Sequence, residues 1–297
     1  MPIYLRSIIS GRARIARWTL IVGVLTVVSF ISLRPSAKSS SSSPPHHKDS
    51  PMMAAAASLK HITVPPVAKH TATVIFVHGL GDTGHGWKPV ADMFRVDPAL
   101  AHVKWILPHS PIRTVKANMG IEMPSWFDIY SFGFDTDEDE MGMLQSARQI
   151  NQLITAEVDA GTDPSRIVLG GFSQGGAMSL LTGLTGERKL AGIAVLSGWL
   201  PLKHKFKAMA SPKAAEVPLF WGHGAVDPLV KREFSKSSVE FLNQSLGMPL
   251  AASRKEGKGI SYNIYDGIGH TTNPRELEEL KEFITTVIPG ETPRPSI

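Results

Sequence analysis

The sequence predicts an α/β protein, a mainly parallel sheet wrapped by helices, and three observations carry that prediction. Short apolar runs with strand character recur at 71–77 (TATVIFV), 103–107, 166–169, 191–196, 217–221 and 261–265. Several are apolar throughout rather than alternating, which is the pattern of strands covered on both faces. Between them lie stretches of helical periodicity at 87–94, 139–159, 174–184, 229–246 and 274–288, and such alternation builds parallel sheets through crossover helices. The third observation is the corner Gly171-Phe-Ser-Gln-Gly175, where a strand-like run gives way at once to a helix-forming segment.

In a sheet of this kind functional groups gather at the carboxyl ends of the strands, so each strand end is read in turn. The run 71–77 ends in His78-Gly-Leu-Gly-Asp82, whose glycines expose backbone N–H groups. The Leu80 N–H is the expected donor to a developing oxyanion, and this loop lacks the spacing of a nucleotide-binding motif. The run 166–169 leads into Ser173. Held in a tight strand–turn–helix corner, a serine is pushed into the open as a nucleophile, and the N–H of Gln174 at the helix start supplies the second oxyanion donor. A bare Gly-x-Ser-x-Gly is a weak signal in a glycine-rich chain; the strand before it and the helix after it make it specific.

A serine nucleophile needs a base and a carboxylate, in the chain order serine, acid, histidine for this architecture. After 217–221 comes His223-Gly-Ala-Val-Asp-Pro228, and Asp227 is the chosen acid; its plainer role is an N-cap for a helix from 229. Asp266 is the rival, disfavoured by its closeness in sequence to the histidine. After 261–265 comes Tyr265-Asp-Gly-Ile-Gly-His270, which makes His270 the chosen base. Its plainer reading is a surface-loop histidine. His223 also follows a strand but precedes every acid in its loop, and it reads as a turn-shaping residue.

Composition bounds the rest. Hydrophobic residues at 42% and charged residues at 19% fit a globular protein. The formal net charge of +5 is concentrated at one end: residues 1–51 hold seven of the 31 basic residues and one of the 26 acidic ones, which leaves the remainder at −1. The charge of the body therefore gives no reason to expect nucleic acid as a partner. The absence of cysteine excludes disulfides, a thiol nucleophile and thiolate metal sites. Residues 1–35 form a basic and hydrophobic segment in which 18–33 is uncharged and mostly apolar. It reads as a membrane anchor, a cleaved targeting segment or an unused extension ahead of Met52 and Met53. Residues 36–58 read as a Ser/Pro/Ala-rich linker, and 59–297 as the catalytic domain.

Five motifs, in order, resemble the acyl-protein thioesterases, small members of the phospholipase/carboxylesterase family. They are His78-Gly-Leu-Gly-Asp-Thr-Gly-His-Gly-Trp87, Met123-Pro-Ser-Trp-Phe-Asp128, Gly170-Gly-Phe-Ser-Gln-Gly-Gly176, Ser197-Gly-Trp-Leu-Pro201 and Asp227-Pro-Leu-Val230. The resemblance covers about residues 70–288. It implies an α/β-hydrolase fold with no large cap domain, and a triad of Ser173, Asp227 and His270. It also implies cleavage of palmitoyl thioesters on S-acylated proteins, with lysophospholipids and small esters as further substrates. It needs no cofactor and no metal, and implies a cytoplasmic and also nuclear location. One departure is Ala225, where family members often carry a further aspartate; the N-terminal extension is another.

Residues 117–134 form a long connection rich in Met, Trp and Phe. Met123 and Trp126 within it are the expected substrate-binding residues, flooring an acyl channel, with plain packing as the alternative. The acids of 135–140 read as favourable charges at the start of the following helix rather than a cation site. Two function classes compete with a depalmitoylating hydrolase: a lysophospholipase or general carboxylesterase with the same machinery, and a membrane-tethered acyl-binding module without turnover.

Overall fold

A computed structural model of the chain describes residues 58–132 and 137–290. The 1–35 segment with its apolar stretch 18–33, the linker up to residue 57 and Asp135, the first acid of 135–140, lie outside the described residues. Among the described residues no helix is long and apolar enough to cross a membrane.

Seven strands form one sheet: β1 (His61–Val64), β2 (Ala72–Val77), β3 (Val103–Pro108), β6 (Ile167–Phe172), β7 (Gly192–Leu196), β8 (Leu219–Gly224) and β9 (Ile260–Tyr265). Their order is β1-β3-β2-β6-β7-β8-β9. Only β1 runs antiparallel, against β3; every other pairing is parallel. Strands β4 (Ile112–Val115) and β5 (Ile121–Pro124) make a separate antiparallel hairpin.

The continuous apolar runs have the expected cause. All six residues of β2 are buried, and they divide between two cores. Ile75 and Val77 face α2 (Glu140–Asp159), α3 (Gln174–Thr185) and α5 (Arg232–Leu246), through side chains such as Met143, Met178 and Leu242. Val74 and Phe76 face α1 (Gly84–Arg95) and α6 (Pro274–Val287), through Trp87, Phe94 and Phe283. The remaining helix, α4 (Lys203–Met209), is short and sends Phe206 into the first core. Each fully buried aromatic or branched aliphatic side chain contributes about 1.5–3 kcal/mol, so both faces of the sheet are held firmly. This is the α/β-hydrolase architecture expected from the sequence.

Three expectations change. The connection 117–134 is partly structured, because β5 lies inside it, the 3₁₀ turn Lys116–Asn118 runs into its start, and Met119 takes a left-handed conformation at φ 55°. The strand expected at 217–221 runs on to Gly224, so His223 lies within it, fully buried. The helix expected from 229 begins at Arg232, because Lys231 is extended and the preceding residues fold into a turn around Asp227. Of the acids at 135–140, Asp139 is the N-cap of α2, accepting the Gly142 N–H at 3.0 Å, and Glu140 lies in its first turn.

Candidate active site

The strand ends named from the sequence converge. Ser173 sits between β6 and α3 with φ 55° and ψ −119°, a conformation strained for a residue with a Cβ and costing about 1–3 kcal/mol. What enforces it is the crowding of the corner. A Cβ on Gly175 would lie 2.0 Å from the Val77 carbonyl oxygen, and one on Gly171 would lie 2.4 Å from the Gly175 carbonyl carbon. Only glycine lets β2, β6 and α3 approach this closely. The Ser173 N–H donates to Leu196 O at 2.8 Å, tying the corner to the end of β7.

His270 lies in the loop after β9. Its Nε2 is 2.9 Å from Ser173 Oγ, and its Nδ1 is 2.7 Å from Asp227 Oδ2. The Phe172 ring lies 4.8 Å from the His270 ring, centroid to centroid, and flanks it. Asp227 Oδ1 accepts the N–H groups of Leu229 and Val230, both at 2.9 Å. The two readings of Asp227 are thus both realised: one oxygen caps the turn and the other orients the histidine. Burial opposes its charge, yet the hydrogen bond and charge of His270 and the N–H groups of Val230 and Leu229 outweigh it. They hold the carboxyl below the ordinary aspartate value. The rival Asp266 is exposed. With Nδ1–H given to Asp227, Nε2 is free to accept the serine proton.

The two expected oxyanion donors, the N–H groups of Leu80 and Gln174, belong to segments adjoining the serine. The Gln174 N–H opens α3 and so has no partner within the helix. The loop carrying Leu80 leans on the nucleophile, since a Cβ on Gly79 would come within 3.4 Å of Ser173 Cβ. This loop is braced from below by His78, which is fully buried. His78 Nε2 accepts the Ser110 N–H at 3.1 Å, which leaves Nδ1–H to donate to Gly79 O at 2.7 Å. Burial lowers the His78 pKa and keeps the ring neutral in that tautomer.

Trp126 and Met123 separate in role. Trp126 is fully buried and its Nε1–H donates to His78 O at 2.9 Å, so its indole supports the loop His78–Asp82 from within the core. Met123 is half-buried, with its sulfur within 4.0 Å of where a Gly81 Cβ would lie, and it stays at the edge of that loop. Sequence reasoning missed the bracing role of His78 and the Gln174 side chain, which donates from Nε2 to Phe127 O at 2.7 Å. The signal available was the pairing of His78 and Gln174 with the two motifs that flank the serine.

A cavity of about 600 Å³ opens next to this region, with Phe127, Ile129, Met143, Trp199, Phe234 and Phe241 among its walls. It adjoins the serine corner through Phe127, bonded to Gln174, and through Trp199, in the segment that continues from Leu196.

A hydrogen-bonded serine–histidine–aspartate chain at the carboxyl edge of a parallel sheet, with its aspartate buried, defines a serine hydrolase of the α/β-hydrolase class. Residues 60–288 match the family described as Phospholipase/Carboxylesterase, and the chain belongs to that family. It is accordingly an enzyme, a serine esterase. Acyl-protein thioesterase 1 of Cryptococcus neoformans is 50% identical over 232 residues, spanning 76% of this chain and 97% of that protein. Acyl-protein thioesterase 1 of Mycosarcoma maydis is 42% identical over 244 residues, spanning 78% and 99%. Among solved structures, Zea mays acyl-protein thioesterase 2 is similar with a TM-score of 0.65 at 29% identity, covering 77% of this chain and 99% of that one.

Proposed function

We propose that the protein removes fatty acyl groups, palmitoyl in the first place, from cysteine thioesters of S-acylated proteins through an acyl-enzyme intermediate. The observation that carries this reading is the unbroken chain Ser173–His270–Asp227, at 2.9 and 2.7 Å, in a protein half identical to an acyl-protein thioesterase.

Ser173 Oγ attacks the thioester carbonyl carbon while His270 Nε2 takes its proton, and Asp227 stabilises the imidazolium that forms. The tetrahedral oxyanion accepts the N–H groups of Leu80 and Gln174, a contribution of about 3–4 kcal/mol per donor. Collapse breaks the carbon–sulfur bond, and the cysteine sulfur leaves with the proton held on His270. Water, deprotonated by His270, then attacks the acyl-enzyme, and the fatty acid leaves as Ser173 regains its proton. The chemistry draws on no metal or organic cofactor. The acyl chain is placed in the cavity walled by Phe127, Trp199 and Phe234, whose volume lies within the usual range for small-ligand pockets. Met123, beside Gly81 at the edge of the Leu80 loop, is assigned to contact the acyl chain. The reading puts the enzyme in the cytoplasm, where S-acylated proteins meet it, with 18–33 as an optional tether.

The test is hydrolysis of a palmitoyl-cysteine peptide by the full chain, with lysophosphatidylcholine in parallel and Ser173→Ala as control. Thioester turnover that vanishes in the control supports the proposal. Turnover of the lysolipid alone moves the protein to the lysophospholipase reading. Loss of fluorophosphonate labelling at Ser173 revives the acyl-binding module.

A further inference from the structure

Helix α6 starts just after the loop that carries His270, and its first turn conceals a carboxyl group for which the reaction above has no use. Glu276 is fully buried, and neither of its carboxyl oxygens has a well-aligned hydrogen-bond partner. A Cβ on Gly222 would lie 2.3 Å from Glu276 Oε1, so the carboxyl rests directly against the backbone of β8. Gly222 is five residues ahead of Asp227, and Glu276 six residues beyond His270. Between them Asn273, the N-cap of α6, accepts the Glu276 N–H at 2.9 Å and fixes the end of the histidine loop. Glu276 therefore stands where the strand bearing the acid meets the helix that follows the base.

We propose that Glu276 is a positioning residue for the hydrolytic reaction, seating the start of α6 against β8 and thereby holding the His270 loop at bonding distance from Asp227. The proposal rests on the reading of Ser173, Asp227 and His270 as the catalytic triad. A close fit between an acidic side chain and a strand backbone, away from water, requires the acid to be uncharged, because an isolated carboxylate in such a seam carries a large desolvation penalty.

The surroundings agree. Burial pushes the Glu276 carboxyl up to about 8, against the opposing pull of the Asn273 backbone N–H, and neighbouring Glu279 pushes it the same way. The 3₁₀ turn Arg254–Glu256, with its basic residues, packs by Thr286 and Val287 at the far end of α6, and among the described residues the elements at the first turn bring no cation to Glu276. Arg275, on the same helix, binds Glu279 Oε1 at 2.9 Å, and Tyr265 of β9 gives its hydroxyl to Glu279 Oε2 at 2.7 Å. His223 of β8 bonds Val230 O at 2.7 Å, and β7 carries no titratable side chain. Ionised, Glu276 must draw water into the seam between α6 and β8, and the histidine loop loses its seat. Activity is therefore lost as the pH rises through about 8.

The experiment measures kcat and KM of the full chain on a palmitoyl-cysteine peptide between about pH 6 and pH 9.5, with spontaneous hydrolysis subtracted. Wild type is compared with Glu276→Gln, which has the same shape and cannot ionise. Wild-type kcat is expected to fall about tenfold from pH 7 to pH 9, as for one group titrating near 8. The Gln variant is expected to keep wild-type kcat at pH 7 and to lose the alkaline fall, with KM unchanged in both. An alkaline fall that persists in Glu276→Gln, or none in wild type, overturns the proposal. Should the variant not fold, amide exchange in the first turn of α6 of wild type answers the question. Protection that drops through about pH 8 supports the proposal, and constant protection overturns it. Fluorophosphonate labelling of wild-type Ser173 at pH 7 separates the two readings. Labelling with identical pH profiles sinks Glu276 alone, whereas no labelling and no turnover sink the triad and the proposal together.

Discussion

The side-chain carbonyl of Gln174 accepts the backbone N–H of Trp126 at 2.9 Å, while the Gln174 amide nitrogen donates to Phe127 O at 2.7 Å and to Ser125 Oγ at 3.0 Å. The residue whose own N–H is the proposed oxyanion donor thus also clamps the segment Ser125–Phe127, whose Trp126 indole holds the loop that carries Leu80. Gln174 is fully buried, so these bonds face no competition from water. Gln174→Ala leaves the Trp126 N–H unpaired in the core, while Phe127 O keeps the Ser125 hydroxyl at 2.6 Å, and the expected loss is about 2 kcal/mol of stability. Because the variant retains the backbone N–H at 174, any fall in kcat reports displacement of the clamped segment. We expect about tenfold, with KM little changed; denaturant melts and steady-state kinetics measure both. Unaltered stability would show that the clamp contributes nothing.

Trp126 and Met123 are expected to respond differently. Trp126→Phe keeps the apolar volume but deletes the bond from Nε1–H to His78 O. That leaves the carbonyl unpaired, at a cost of about 1–3 kcal/mol. The variant should melt earlier and turn over more slowly on acyl chains of every length. Met123→Ala, at the edge of the site, should shift the preference among chain lengths while leaving the melting temperature nearly unchanged. A chain-length shift in Trp126→Phe would return the indole to the pocket wall.

What could be read from the sequence were the features that local chemistry dictates. Ser173 was legible because a serine between two glycines at a strand–helix corner has few other uses, and Asp227 and His270 because each follows a strand. The alternation of strands and helices was legible because β2 and β6 are apolar on both faces. The rest depends on contacts distant in sequence. Strand β1 is four residues long with only Val64 buried, and only its pairing with β3 makes it a strand. The β4–β5 hairpin turns through Asn118-Met119-Gly120, with Met119 and Gly120 both left-handed; the turn residues were there, but its four-residue, partly exposed strands carry no apolar pattern that announces them. A tryptophan in a loop looks the same whether it walls a pocket or props a backbone, so the place of Trp126 needed the fold. The start of α5 was displaced by Asp227 itself, whose carboxylate takes the N–H groups of Leu229 and Val230 and delays the helix to Arg232.

Glu276 makes stability as well as activity pH-dependent. Its folded-state value is about 8, against 4.5 for the ordinary side chain. Between those values the folded protein binds more protons than the unfolded one, so stability falls as the pH rises through this window. The contribution is intact below about pH 4.5 and lost above about pH 8, amounting to about 5 kcal/mol at full ionisation. Denaturant midpoints taken from pH 6 to pH 9 should decline in wild type and stay flatter in Glu276→Gln. Parallel declines in both proteins would assign the loss to other groups.

Asp227→Asn tests the division of labour between the two oxygens of one carboxylate. Asparagine keeps an oxygen that can stay with the N–H groups of Leu229 and Val230, so the turn and the fold are expected to survive with a melting temperature close to wild type. Its amide NH₂ then faces His270 Nδ1 in place of Oδ2. A donor at that position favours the tautomer with the proton on Nε2, the nitrogen 2.9 Å from Ser173 Oγ, and so removes the lone pair that should take the serine proton. Substitution of this kind in serine hydrolases lowers kcat by about 10⁴. We expect a loss of that order on a palmitoyl-cysteine peptide, with slow but detectable labelling of Ser173. Asp266→Asn, at an exposed position outside the histidine's hydrogen bonds, should leave turnover within about twofold of wild type. The reverse pattern, with Asp227→Asn fully active and Asp266→Asn impaired, would move the acid to Asp266. Loss of folding in Asp227→Asn would show that the turn needs the charge as well as the acceptor geometry.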